Sequence, residues 1–377
     1  MPLTSGAPTR NGPGARRGRC ALNAKRSLAV YLGRRAAQRL RKDGWHPDHF
    51  SLLLGASGGP KWLVLGQLDR VLFGDFLQRG QRPLSLLGSS IGSWRHACLA
   101  QADPVAALER FQQAYLEQAY SARPPPDEIS AASAQILAAL LGAEGSTALV
   151  SHPRWRTHIV TARGRGPAGA RQPALLGAAM GAAALGNSVH RRLLGASFQR
   201  VVFHSGEQPA PQLSLTDFNT TYTPLRPATV ALALQASGSI PFVLAGERNI
   251  AGAPAGHYWD GGIIDYHFDL RHYRGSGLIL YPHFRADLTP GWFDKFLPWR
   301  RSGLDALDDL VLLCPTPEFV ASLPGGKIPD RRDFTRLDTA ARTAVWRECI
   351  ARSETLAEEF QALLAGPDPL AGATLLN

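Results

Sequence analysis

The sequence predicts an α/β fold, with a mainly parallel central sheet, helices on its faces and a helical cap or insertion. Three observations carry this. "HFSLLLGA" and "PLSLLGSS" are short apolar runs ending in glycine or serine, the pattern of buried strands. Each is followed by a helical pattern, "KWLVLGQLDRVLFGDFL" and "IGSWRHACLAQA". Strand, loop, helix, strand, turn and helix in that order mark a parallel sheet with crossover helices. At 377 residues, with 45% apolar and 19% charged side chains, the chain can bury a sizeable core as an ordinary globular protein.

From the start of the chain, residues 1–24 are rich in Gly, Pro and Arg without a hydrophobic period, and read as a disordered basic extension. No apolar run of about 7 to 15 residues follows the arginines, which disfavours a secretory signal. An organelle transit peptide would share this composition. The net charge of +11 resides here: residues 1–42 hold eleven cations and no acid, and the rest of the chain is balanced. The body is therefore not a nucleic-acid platform. From Ser27 to Lys42, Leu28, Tyr31, Leu32, Ala36 and Leu40 recur at helical spacing between arginines. This predicts a scaffold helix ahead of the first strand, or one lying on a membrane surface.

After the second helix, Asp103-Pro104 supplies an N-cap and a proline at the first helical position for "VAALERFQQAYLEQAY", which "SARPPPDE" ends. A helix over about 128–141 follows, then strands at "RTHIVTARG" and "QRVVFHSG". "PALLGAAMGAAALG" between these two strands reads as a packing helix or a lid. Too short and too interrupted to span a membrane, this is nevertheless the longest apolar candidate in the chain. His190 and Arg191 after it read as surface residues. "ATVALALQASGSIPF" is a helix broken at Gly238 and Pro241; "HYWDGGIIDYHF" is a strand, a glycine turn and an apolar run; "GSGLILYP" and "LDDLVLLCP" are further strands. One long terminal helix carries Val345, Cys349, Leu356, Phe360 and Leu363 on one face and stops at Gly366-Pro367. No linker forces a domain boundary, so residues 25–377 are expected to form one domain. Cys20, Cys98, Cys314 and Cys349 lie far apart with no metal-ligand spacing, and read as reduced thiols of a cytoplasmic protein.

The loop "GASGGPKW" does not bind a nucleotide by pattern. GxGxxG would need glycine at 57 and 60, where Ser57 and Pro60 stand, and nothing matches GxxxxGK[ST]. No cofactor and no metal are expected. "GSSIG", Gly88 to Gly92, is a GxSxG pentapeptide between a strand and a helix, the setting of a nucleophile elbow centred on Ser90. Asp260 in "WDGG", at a strand end, suits a carboxylate acting directly on a serine hydroxyl. A triad of Ser90 and Asp260 with His267, His272 or His283 stays open. His96, next to the elbow, reads as a helix residue.

Gly58-Gly59-Pro60-Lys61, Gly88-Ser89-Ser90-Ile91-Gly92 and Asp260-Gly261-Gly262, in that order, resemble the signature of the patatin-like phospholipases. "QASGSIPFVL" is similar to a further segment of that family. The resemblance covers about His49 to Asp269, with 270–377 adding strands and a helix. It implies a three-layer α/β/α fold and a serine acyl hydrolase of the phospholipase or lipid esterase type, working through an acyl-enzyme. Ser90 would be the nucleophile and Asp260 the general base, with Gly58 and Gly59 as oxyanion donors. Lys61, Gly88, Gly92, Gly261 and Gly262 would support the motifs. Trp62, Trp94 and Tyr266 depart from the family pattern, so a catalytically silent scaffold binding lipid or protein is the competing reading. The implied partner is a lipid or other acyl ester. "PGWFDKFLPWRR", Pro290 to Arg301, interleaves aromatics with cations and admits peripheral contact with a membrane surface, or else packs inward as part of a cap.

Overall fold

Alternation decides the first element. Leu28, Val30 and Leu32 are buried and Ala29 and Tyr31 less so, so Leu28–Leu32 is a strand, β1, and Gly33 ends it. The single helix expected over Ser27 to Lys42 is thus a strand followed by a helix, α1 (Arg34–Asp43), which buries Ala36, Ala37 and Leu40. A period-two burial and a period-3.6 burial share the same apolar residues here, and sheet pairing selected the first. The computed structural model describes residues 26–207, 210–301, 303–304 and 307–376, so the expected extension at 1–24 lies outside the described residues.

Next come β2 (Phe50–Gly55), a 3-10 stretch (Gly59–Leu65), α2 (Gly66–Gly74), β3 (Leu84–Ser89) and α3 (Ile91–Leu99). The segment read as one helix from Lys61 is therefore 3-10 and then α, jointed at Gly66. α4 (Pro104–Glu117) is capped as expected, the Asp103 carboxylate accepting from the Ala106 N–H at 3.0 Å. α5 (Pro126–Leu141), α6 (Gly145–Ser151), β4 (Trp155–Gly164), α7 (Pro173–Val189), α8 (Leu194–Ser197), β5 (Phe198–His204) and β6 (Thr220–Pro224) follow. After α9 (Pro227–Gly238) come β7 (Glu247–Arg248), β8 (His257–Asp260), β9 (Leu278–Pro282), β10 (Leu310–Pro315), α10 (Pro317–Ser322) and α11 (Asp333–Arg336). The terminal helix is two, α12 (Thr339–Arg352) and α13 (Glu354–Ala365), before β11 (Thr374–Leu375). The break falls at buried Ser353, whose N–H and hydroxyl both turn back onto the carbonyl of Ile350. The expected apolar face survives the break, with Cys349, Leu356 and Phe360 all fully buried.

The sheet runs β11-β1-β10-β9-β2-β3-β4-β5-β6. Its centre, β10 to β4, is parallel; β1–β10 and β4–β5 are antiparallel. Helices lie on both sides, giving the expected three layers. Leu52, Leu53, Leu54, Leu86 and Leu87 are fully buried, as strands covered on both faces require. α7, between β4 and β5, is the expected insertion: it sets Leu176, Met180 and Ala183 against Trp259, Ile263 and Phe293, a second apolar cluster apart from the main core.

Strand directions around β4 build the site. β3 runs parallel to β4 and stops with Ser89 opposite Val160; β8 runs antiparallel to β4 and stops with Asp260 opposite Thr161. β5 occupies the other edge of β4 along the whole of this stretch, so β3 and β8 share one edge. Their carboxyl ends meet head-on at Val160 and Thr161.

Candidate active site

Ser90 follows directly from the end of β3 and caps α3. Its backbone, at φ 55° and ψ −131°, lies where side-chain-bearing residues rarely sit, which costs about 1–3 kcal/mol and persists only when surroundings impose it. The surroundings here are glycine. A Cβ on Gly92 would come within 2.0 Å of the Gly55 carbonyl oxygen, so helix α3 and strand β2 can approach only with both positions bare. Gly88 is held the same way, its absent Cβ 2.7 Å from the Ser93 backbone. The Ser90 N–H donates to Ser237 Oγ at 2.8 Å, and that hydroxyl donates to the Val160 carbonyl at 2.7 Å. Ser237, in the segment "QASGSIPF", thus ties the elbow to β4.

Asp260 reaches the elbow from the other strand end. Ser90 Oγ donates to Asp260 Oδ2 at 2.8 Å, and the Gly262 N–H donates to Oδ1 at 2.7 Å. Gly261 must be bare, since its Cβ would lie 2.2 Å from the Val160 carbonyl oxygen. Burial raises the Asp260 pKa above the usual carboxylate range. The positive charge of Arg331, the bonds from Ser90 and Gly262, and the charge of Lys295 lower it only in part. A buried carboxylate that is reluctant to stay charged and bonded to a hydroxyl is placed to take a proton.

The third motif part lies alongside. Gly58 and Gly59 are buried, and among the described residues neither amide N–H has a hydrogen-bond partner. Two adjacent N–H groups without a protein acceptor are free to donate to another group. Gly59 adopts φ +56°, a conformation suited to glycine, and Pro60 follows it in the first turn of the 3-10 stretch without costing a bond. The loop is braced by the Ser57 N–H on the Tyr266 carbonyl at 2.9 Å and by Ser57 Oγ on Ser89 Oγ at 3.0 Å. Lys61 is half-buried, its ammonium 5.0 Å from the Phe284 ring centre, and burial lowers its pKa.

The departures from the family pattern sort themselves by direction. Trp62 turns into the core and stacks on Phe111, ring centres 4.2 Å apart; Trp94 donates to the Leu234 carbonyl at 2.9 Å against α9. Tyr266 alone faces a cavity of about 200 Å³, shared with Lys61, Arg285, Asp287, Thr289, Lys295 and Arg301. The three candidate histidines are engaged elsewhere. His267 accepts from the Thr289 N–H at 3.0 Å, His283 accepts from the Arg285 N–H at 3.1 Å, and His272 lies 4.0 Å from Asp269. None of the three is hydrogen-bonded to Ser90 or Asp260. His96 is a buried residue of α3.

Arg191, expected at the surface, is instead largely buried and pairs with Asp217, Asp265 and Asp294 at 3.1, 3.3 and 3.3 Å. Arg200 on β5 completes this network with Asp265 at 2.6 Å. The basic and aromatic segment from Pro290 splits: Phe293 packs inward, Lys295 lies 3.7 Å above the Tyr266 ring centre, and Phe296 and Trp299 are 75% and 70% exposed. Ser237 and Arg331 were not singled out by sequence, and Lys295 was read only as one of the cations of the Pro290 to Arg301 segment. Ser237 carried a signal, the shared segment, whereas Arg331 lies beyond the region of resemblance. No cluster of three His, Cys, Asp or Glu side chains fit for a metal occurs among the described residues.

A strained serine elbow bonded to a carboxylate, beside a glycine loop with free amides on a mostly parallel sheet, is a grouping whose chemistry can serve acyl transfer. The sequence model of the family described as patatin-like phospholipase matches residues 56–267, more than half the chain, and the protein belongs to that family. Membership gives lipid acyl hydrolysis as its general activity and lipids as its substrates. Among solved structures the chain is similar to that titled "Crystal structure of VipD from Legionella pneumophila", at 12% identity and a TM-score of 0.32, over 93% of this chain and 75% of that one. No curated protein matches it.

Proposed function

We propose that the protein hydrolyses carboxylic esters of lipids through a Ser90–Asp260 dyad and an acyl-enzyme. The observation that carries the reading is the 2.8 Å bond from Ser90 Oγ to the buried Asp260 carboxylate. Asp260 takes the hydroxyl proton as Oγ attacks the ester carbonyl, and the oxyanion forms against the Gly58 and Gly59 N–H groups. Collapse expels the alcohol, which leaves with the proton from Asp260. Water, deprotonated by the same carboxylate, then attacks the acyl-enzyme; the acid departs and Ser90 recovers its proton. Residues 25–377 act as one catalytic domain. The exposed Phe296, Trp299, Leu185 and Val189, flanked by Arg192, Arg300 and Arg301, favour peripheral contact with a lipid surface.

The test is labelling with a fluorophosphonate probe beside release of fatty acid from phospholipid vesicles. Wild type is expected to label and to release acid, and Ser90→Ala to do neither. A folded wild-type protein that stays unlabelled overturns the reading in favour of a silent scaffold. Loss of turnover in His267→Ala or His272→Ala, with activity kept in Asp260→Asn, would replace the dyad by a triad.

A further inference from the structure

We propose that the cavity between the glycine loop and the Pro290 to Arg301 segment is an anion subsite, which takes a phosphate group next to the scissile ester. The proposal rests on the hydrolase reading for what lies beside it, and on the cavity's own chemistry for what it binds. Its lining offers almost nothing but donors: the ammonium groups of Lys61 and Lys295, the guanidinium groups of Arg285 and Arg301, and the hydroxyls of Tyr266 and Thr289. The one acid, Asp287, is already bonded to Arg285. Among the described residues neither Lys61 nor Lys295 has a hydrogen bond or ion pair to any acceptor.

Two fully buried arginines elsewhere are paired with acids. Arg95 holds Asp69 through two 2.6 Å bonds, and Arg200 holds Asp265 and Asp217. Lys61 and Lys295 are half-buried without that compensation. Burial lowers the pKa of both, and the charge of Lys61 adds to the effect at Lys295, whose pKa falls to about 7. A dianionic, acceptor-rich group supplies what the lining lacks. At about 200 Å³ the cavity has room for several waters, hence for a five-atom phosphate. Its lining residues are also linked to the candidate site. Lys61 is two residues from Gly59, Tyr266 holds the Ser57 N–H, and the charges of Lys295 and Arg331 are both felt at Asp260.

The experiment separates this inference from the hydrolase reading by measuring binding to Ser90→Ala, which does not turn over. Calorimetry is run with dihexanoylphosphatidate, with neutral dihexanoylglycerol and with inorganic phosphate. The subsite requires phosphatidate to bind about tenfold more tightly than dihexanoylglycerol, and Lys295→Gln in the same background to remove that preference while Lys295→Arg retains it. Arg301→Gln serves as the second variant if Lys295→Gln does not fold. Binding of inorganic phosphate as tight as phosphatidate identifies a site for the free ion; phosphatidate alone identifies a lipid head group. Equal binding of charged and neutral lipid, with no binding of phosphate, overturns the subsite. Fluorophosphonate labelling of the wild type, measured separately, decides the hydrolase reading whatever the calorimetry gives.

Discussion

The charges behind the elbow and those at its mouth are arranged in opposite ways. Behind it, on α3, Arg95 is 2% exposed in its side chain and Asp69 0%, locked in a two-bond pair. At the mouth, Lys61 and Lys295 lie half-buried beside exposed Arg331, and the carboxylate at which Lys295 and Arg331 are felt is Asp260, bonded to Ser90 instead. A paired charge holds the elbow's helix to α2 and cannot respond to a ligand. An unpaired one costs stability and leaves its field free to act on the base and on whatever enters. On the function and subsite proposed above, the first arrangement is structural and the second is functional.

Four measurements bear on this contrast, in order of decreasing effect. Asp260→Asn removes the proton acceptor, and initial rates on a soluble ester should fall about 10²–10⁴-fold while thermal unfolding stays cooperative. Arg95→Met strands Asp69 in the core, and denaturant titration should show a loss of about 3–5 kcal/mol; adding Asp69→Leu should restore much of it, because the cost lies in the orphaned charge. If Arg95→Met proved neutral, the pair would not be structural. On neutral ester the rate should fall with acid, because Asp260 must be ionised, and its midpoint should lie above the usual carboxylate range since burial raises this group. Lys295→Met removes a charge that lowers the Asp260 pKa, so that acid limb should move to higher pH, whereas Lys61, Arg331, Arg285 and Tyr266 around Lys295 stay in place. The smallest effect concerns stability. The folded-state pKa of Lys295, about 7, lies below its ordinary value of 10.5, so the unfolded chain binds more protons between the two and stability should rise with pH above about 7. Lys295→Met should flatten that rise in unfolding midpoints measured from pH 7 to 9.

How much of this was legible in the sequence depended on distance along the chain. The strand before Gly55, the elbow at Gly88 to Gly92, the cap at Asp103 and the apolar faces of the last helices are all local patterns, and each stands where the pattern put it. The segment from Ser27 to Lys42 misled because apolar residues close in sequence satisfied two periods at once, and only pairing with β10 and β11 chose between them. Arg191 misled because its partners, Asp217, Asp265 and Asp294, lie 26 to 103 residues away. Ser353 split the last helix through a side-chain bond that no periodicity encodes.

Residue type alone accounts for the three motifs of the site: bare glycines, a serine in a strand-to-helix turn and an aspartate before two glycines are all written in the chain. That Ser90 and Asp260, 170 residues apart, touch is the work of the fold. The reason is geometric: β4 offers one edge to two strands running in opposite directions, and their ends meet at Val160 and Thr161. Folding likewise left Lys61 and Lys295, two lysines the sequence marked for other reasons, without acid partners near Asp260, because which charges are paired depends on what comes within about 4 Å.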